Sequence, residues 1–266
     1  MRFSPLRGPV LSLRGYDQTA RAMTTIRLSE RDQRVIVKCA VGKWLTTAQL
    51  ARLYFPGVTS DAVRKSLRRL ADAGYLVSHR EHQLAESLHG VGTKGKGVLE
   101  AKGLSADVVR TPPRQSEHLI GLNDIRVAVE TSSLPVAYFF ASWEVQALGW
   151  PHPLVPDAVL GLRLPDRQTF FMEYDRNTET LATFTKKLRF YEEGLSGISF
   201  RAVLVIADCS GRLDTLTRQL RKAGFFRRML GTLRGEILEA GIGAPVFRDL
   251  ARTSQHRASL GEISES

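Results

Sequence analysis

Between residues 29 and 73 the apolar positions recur at intervals of three and four, with Val35, Ile36, Cys39 and Ala40 in one run and Val63, Leu67 and Leu70 in another. That spacing lines up one face of a helix and predicts two amphipathic helices with a buried side. The first opens on Ser29-Glu30-Arg31-Asp32, a capping-box-like start. Thr46 or Thr47 caps a short helix over residues 48–54, which the turn Pro56-Gly57 ends. Thr59 or Ser60 then starts a third helix that runs to Ala73 and stops at Gly74. Tyr75-Leu76-Val77-Ser78 reads as a strand, the first arm of a hairpin. The run Gly90-Val91-Gly92-Thr93-Lys94-Gly95-Lys96-Gly97 lacks the Gly-Lys-Ser/Thr ending of a phosphate-binding loop and predicts a turn before a short helix.

Periodicity disappears from Gly103 to Gln115, where Pro112-Pro113 breaks any helix, so the domain boundary falls at 104–115. Beyond it the patterns predict a helix over 116–131, strands over 136–145, 154–162 and 169–175, a helix over 178–193, a strand over 201–207 and a helix over 212–227. The expected fold class is α+β. An N-terminal winged helix-turn-helix domain over 26–103 precedes a second domain of order αβββαβ over 116–250. Residues 1–25 read as a flexible leader without a signal-peptide core, and Met23 is an alternative start to Met1. Residues 251–266 read as a flexible polar tail.

Hydrophobic residues make up 43% of the 266 and charged ones 24%, ordinary globular usage that excludes wholesale disorder. No apolar run approaches the roughly 20 residues of a membrane-spanning helix. Two distant cysteines, Cys39 and Cys209, support neither a disulfide framework nor a thiolate zinc site, which fits a reducing cytoplasm. The remaining signal is charge. Lys and Arg number 38 against 27 acids, a net +11, which points to a polyanionic partner. Nucleic acid leads and an anionic membrane surface is second.

The surplus is unevenly placed. Residues 21–80 carry twelve bases and four acids, residues 144–193 six and eight, and residues 201–234 eight and two. An acidic centre between basic flanks suits a protein that grips a polyanion at its edges and keeps carboxylates in the middle. On the third helix, Arg64, Lys65 and Arg68 lie on the arc opposite Val63, Leu67 and Leu70, with Arg69 beside them. These four, together with Arg52, Arg80 and Lys94, are the candidate contacts to double-stranded DNA. A protein-contacting or dimerising unit with solvated bases is the alternative.

The candidate chemistry lies in the acidic centre. Pro156-Asp157 precedes one strand and Glu173-Tyr174-Asp175 ends the next. Strand periodicity puts Phe171, Glu173 and Asp175 on one face, with Met172 and Tyr174 on the other. If the strands are antiparallel neighbours, Asp157 joins Glu173 and Asp175 in a carboxylate cluster that needs a neutralising cation. Hard oxygen ligands favour Mg²⁺ or Mn²⁺. Lys187, at the edge of the stripe Leu181, Phe184, Leu188 and Tyr191, points back across the strand ends. The candidate catalytic set is therefore Asp157, Glu173, Asp175 and Lys187, with the first three as metal ligands. Glu144, expected on a strand, reads either as a further metal group or as an edge charge.

The order αβββαβ with Pro156-Asp157 and Glu173 on successive strands resembles the PD-(D/E)XK nuclease fold. More specifically, the chain resembles the plasmid replication-relaxation family, a winged helix followed by such a nuclease-like domain. The stretches that carry the likeness are His118-Leu119-Ile120-Gly121-Leu122-Asn123-Asp124-Ile125-Arg126, Val155-Pro156-Asp157-Ala158, Phe171-Met172-Glu173-Tyr174-Asp175-Arg176-Asn177-Thr178-Glu179 and Lys187-Leu188-Arg189-Phe190-Tyr191. Asp175 stands where the nuclease pattern has lysine, so catalysis calls on a migrated lysine, Lys187. The resemblance implies a DNA-binding protein of plasmid or mobile-element replication and relaxation, acting as a metal-dependent endonuclease. The alternative it leaves open is a non-catalytic replication accessory or transcriptional regulator on a nuclease-like scaffold. It also implies that His118 and Asn123 border the site, whereas a helix-capping or core role is the plain reading of the histidine. Other replication or mobilisation proteins, or a second copy in a homodimer, are compatible partners.

Overall fold

A computed structural model describes residues 26–82, 85–105, 107–114, 116–164, 167–193, 195, 198–224, 228–251 and 256–265. The leader over 1–25 lies outside the described residues, as do Gln115 and Arg227. The protein is mixed α+β.

Its N-terminal unit runs α1 (Glu30–Gly42), β1 (Leu45–Thr46), α2 (Thr47–Tyr54), α3 (Ser60–Asp72), β2 (Leu76–His79), β3 (Leu88–Val91) and α4 (Thr93–Glu100). The starts of α1 and α2 are capped reciprocally, satisfying amide groups that a helix end otherwise leaves bare. Ser29 Oγ accepts from the Asp32 amide at 3.2 Å while the Asp32 carboxylate accepts from the Ser29 amide at 2.9 Å. Thr46 and Gln49 repeat the arrangement at 3.1 and 2.9 Å. Gly74 ends α3 in the left-handed region, φ 82°, where a side chain is strained. The strands form a small antiparallel sheet of order β1-β3-β2. Val35, Ile36, Cys39, Leu45, Leu50, Leu67, Leu70 and Leu99 are completely buried between helices and sheet. The glycine run has a steric cause at Gly95, where a Cβ would come within 2.3 Å of the Tyr75 carbonyl oxygen.

The second unit begins with α5 (Ser116–Glu130), β4 (Val136–Ala141), α6 (Ser142–Ala147), β5 (Ala158–Arg163), β6 (Arg167–Asp175) and α7 (Leu181–Glu193). It continues with β7 (Ala202–Ala207), α8 (Ser210–Ala223), β8 (Met229–Leu233), α9 (Arg234–Ala240), β9 (Phe247–Asp249), β10 (Arg257–Ala258) and α10 (Leu260–Glu265). One seven-stranded sheet has the order β10-β9-β8-β7-β6-β5-β4. The β4-β5-β6 part is antiparallel, and β6-β7-β8 is parallel. Helices α5, α9 and α10 cover one face and α7 and α8 the other. The middle strand β7 is buried on both faces and reads Ala-Val-Leu-Val-Ile-Ala without alternation.

Three expectations are corrected. The strand read as 136–145 ends at Ala141, because Ser142 begins α6 and the Glu144 carboxylate accepts the Ala141 amide at 2.9 Å. Glu144 is therefore on a helix, where it pairs with the buried Arg126 guanidinium. The strand read from 154 begins at Ala158, leaving Asp157 just before it. The segment read as a tail carries β10 and α10, with Leu260 and Ile263 completely buried in the main core. Strands of two or three residues are too short to show a period, which hides this end from pattern reading.

Helix α5 also joins the two units. Asn123 is completely buried and its amide donates to the carbonyls of Gly42 and Trp44 at 2.9 and 3.0 Å. Gln49 donates to the Ile120 carbonyl at 2.9 Å and to Asp124 Oδ1 at 2.8 Å. Trp143 Nε1 donates to the Val41 carbonyl at 2.9 Å, and Lys38 pairs with Glu130 at 2.6 Å. Trp44, Leu88 and Leu119 close the apolar part of this junction. Directed bonds from buried groups fix one orientation more tightly than apolar contact alone.

Candidate functional site

Antiparallel pairing of β5 with β6 sets Ala158 opposite Met172, so the residue before Ala158 comes opposite Glu173 and on the same face. Asp157 Oδ2 accepts the Tyr174 amide at 2.8 Å, and its Oδ1 faces His118 Nε2 at 3.4 Å. Glu173, at 0% exposure, accepts the Tyr191 hydroxyl on Oε1. Lys187 reaches in from α7, one turn before Tyr191, with its ammonium in ion-pair contact with Glu173 Oε2 and 3.7 Å from Asp157 Oδ2. The structure thus brings together Asp157, Glu173 and Lys187, and adds His118 and Tyr191. His118, Asp157 and Lys187 border a cavity of about 250 Å³, whose rim also includes Asp175, Thr178, Glu179 and Phe184, while Glu173 and Tyr191 lie buried behind it.

Burial acts on each of these charges in its own direction. For Asp157, burial pushes the carboxyl up, but the His118 hydrogen bond, the Lys187 charge and the Tyr174 amide outweigh it and hold it below its ordinary value. Glu173 goes the other way: complete burial, reinforced by the Asp157 charge, raises its carboxyl well above the usual range despite Lys187 and Tyr191. Lys187 loses by burial and gains more from the two acids, so its ammonium is held charged more firmly than usual. The site therefore holds one ammonium, Lys187, against two acids shifted in opposite directions, Asp157 below its ordinary value and Glu173 above it.

Asp175 shares the strand face but not the cluster. Its Oδ2 accepts the Arg212 Nε at 2.6 Å, and its Oδ1 accepts the Asn177 amide at 2.7 Å. Arg212, buried in the first turn of α8, also donates to the Glu179 carbonyl at 3.0 Å. Asn177 takes the left-handed conformation, φ 60°, which asparagine tolerates. Asp175 thus holds the turn between β6 and α7. On the other sheet face, Tyr174 donates its hydroxyl to Asp208 Oδ1 at 2.8 Å. Arg234 links Asp208, at 2.8 Å, to Asp124, at 2.7 Å, and Asp124 accepts from Gln49. A chain of polar contacts therefore runs from α2 through Tyr174 to Asp157. Gly121 lets it pass, since a Cβ there would lie 2.3 Å from the Tyr174 ring.

The divalent cation that the resemblance implies does not fit these side chains as they stand. Each carboxylate oxygen of Asp157 and Glu173 faces a protein donor, and the Lys187 ammonium occupies the position of a shared counter-ion. Among the described residues no group of three or more His, Cys, Asp or Glu side chains is arranged to hold a metal.

The second cluster of candidate residues is on α3 and the β2–β3 hairpin. Arg64, Lys65 and Arg68 are exposed on α3, and Arg80 is exposed on the hairpin, where it donates to Ser87 Oγ at 3.0 and 2.8 Å. All four border one groove, together with Thr47, Asp61, Ser87 and His89. Arg64 pairs with Asp61, and Arg68 lies 3.8 Å from Asp72, contacts between exposed groups that a stronger anion displaces at little cost. Arg69 differs: it turns to Asp32 at 2.7 Å and ties α3 to the start of α1. Arg52 is exposed at the end of α2, and Lys94 lies 5.9 Å from the Tyr75 ring centre. Buried His89 bridges the hairpin to α2, its ring nitrogens 3.0 Å from Thr47 Oγ1 and 2.9 Å from Ser78 Oγ.

Pattern reading missed Arg212, Tyr191 as a donor, and the Tyr174-Asp208-Arg234-Asp124 chain. The Asp175-x-Asn177 spacing is the signal that would have marked Asp175 as a turn residue. The rest depends on contacts between remote segments. No helix among the described residues is long and apolar enough to cross a membrane. In comparison with known proteins, a family described as replication-relaxation matches residues 40–202, more than half of the chain. No curated protein and no solved structure matches it.

Proposed function

Since the chain belongs to the replication-relaxation family, we propose that it is a DNA-binding protein of plasmid or mobile-element replication, docking on duplex DNA through an N-terminal winged-helix unit. The observation that carries this reading is the groove in which Arg64, Lys65 and Arg68 of α3 meet Arg80 of the hairpin. A helix with an exposed basic arc enters a major groove, while a hairpin arginine reaches the flanking phosphates. The net charge of +11 supplies the long-range attraction. Fluorescence anisotropy with a labelled duplex tests the reading. Binding is expected to weaken for Arg64→Ala and Arg68→Ala and to persist for Asp157→Ala; an affinity indifferent to all three overturns it.

A second reading, endonuclease action on a PD-(D/E)XK-like scaffold, is favoured by the convergence of Asp157 and Glu173 on Lys187, beside a cavity that Asp157 and Lys187 line. Supercoiled plasmid incubated with Mg²⁺ or Mn²⁺ tests it. Nicking that disappears in Asp157→Ala and Glu173→Ala supports hydrolysis, and a plasmid left intact by the wild-type chain removes it.

A further inference from the structure

The second unit sets two acids around a single base in a largely buried cluster. Glu173 is completely buried, and among the described residues it is the Lys187 ammonium that lies against its Oε2. The same ammonium stands 3.7 Å from Asp157 Oδ2. Lys187 is itself confined, with 16% of its side chain exposed and its Nζ 6.0 Å from the Phe184 ring centre. The other oxygen of each acid is occupied separately, by His118 facing Asp157 and by Tyr191 donating to Glu173. An ammonium and a divalent ion compete at this pair, because the ammonium lies against oxygens that a metal would need and two cations so close repel each other.

We propose that Lys187 is the resident cation of the Asp157–Glu173 pair and keeps divalent metal ions out of the free protein, so that a metal enters only when this ammonium is displaced. The inference deepens the second reading above, on which it rests for its interest, and it does not involve DNA binding. The side chain best placed to leave is Lys187, since it comes from α7 and not from the sheet that holds both acids, and it borders the cavity into which it would swing. This role differs from orienting a water molecule: removing the lysine is expected to improve metal binding, whereas a lysine that serves a bound metal or its water leaves metal affinity unchanged or reduced when it is lost.

The test uses the full chain and Mn²⁺ alone, with free Mn²⁺ followed by electron paramagnetic resonance. Lys187→Met is expected to bind one ion on the order of a hundredfold more tightly than wild type, the gain from removing a competing charge at contact distance. Adding Asp157→Asn to that variant is expected to abolish the gain, and Lys187→Arg, which keeps a cation, is expected to stay as weak as wild type. Should Lys187→Met be unfolded alone, Mn²⁺ is expected to restore its cooperative melting transition, since the ion replaces the missing charge. Wild-type binding as tight as that of Lys187→Met overturns the proposal, as does a variant that neither binds Mn²⁺ nor is restored by it. Plasmid nicking is a separate readout: a chain that fails to nick but shows the affinity gain in Lys187→Met refutes hydrolysis and leaves the role of Lys187 intact.

Discussion

The α3 groove and the Asp157–Glu173 centre both set Lys or Arg beside carboxylates, yet they spend their charge in opposite ways. On α3 the Arg68 side chain is 84% exposed and its partner Asp72 59%, a contact that water and salt reduce to almost nothing. At the centre, Glu173 is 0% exposed and Lys187 16%, so each depends on the other for solvation that water no longer provides. Exposed cations are available to an outside polyanion; a buried one is already committed. The comparison teaches that counting bases and acids along the chain locates charge but not its availability, which burial decides.

Breaking the buried set carries the largest expected effect. Lys187→Ala leaves two acids without their cation and is expected to cost about 3 kcal/mol of stability, read from urea unfolding at neutral pH. Arg68→Ala on the exposed side is expected to stay within about 0.5 kcal/mol of wild type in the same experiment. Equal losses from the two substitutions would erase the distinction between the regions. Next in size is Gly121→Ala, whose new methyl meets the Tyr174 ring that Asp208 and the β6 backbone hold in place. Overpacking there is expected to destabilise by about 2 kcal/mol, and no change in the unfolding midpoint would mean that the ring is free to move.

The pH dependence sharpens the comparison with smaller effects of opposite sign. Glu173 is raised in the folded chain above its ordinary 4.5, so its contribution is present below that value and is lost as pH climbs through the folded one. The melting temperature of wild type minus that of Glu173→Gln is therefore expected to fall as pH rises from 4.5 towards neutrality. His89, in the N-terminal unit, is lowered from 6.5 to about 4 by burial and by the Arg80 charge. Its contribution is present above 6.5 and is lost as pH drops towards 4, so wild type minus His89→Gln is expected to rise as pH increases from 4 to 6.5. Two profiles of the same slope would contradict the assignment of these environments.

How much of this was legible in the sequence follows from which interactions are local. The caps of α1 and α2, the Gly74 stop and the alternation of Phe171, Glu173 and Asp175 against Met172 and Tyr174 depend on neighbours in sequence, and pattern reading finds them. Helical periodicity alone points Lys187 towards the strand ends, and it lies against Glu173. The separation of Asp175 from the other acids was not legible, because it is set by Arg212, thirty-seven residues further on. The change from β4 to α6 was overlooked because Trp143 and Val145 continue an apolar alternation that the cap at Glu144 overrides. Arg69 shares the charge pattern of α3, and only the fold shows that it is turned to Asp32.

The central claim, that the exposed cations of α3 and the hairpin are the ones offered to DNA, is tested most directly by the salt dependence of duplex binding. The slope of log affinity against log salt is measured for wild type, the Arg64→Ala/Arg68→Ala double variant and Lys187→Met. The account predicts that each lost phosphate contact lowers the slope by about 1, so the double variant falls by about 2 while Lys187→Met keeps the wild-type slope. An unchanged slope in the double variant, or an equal fall in Lys187→Met, would contradict it.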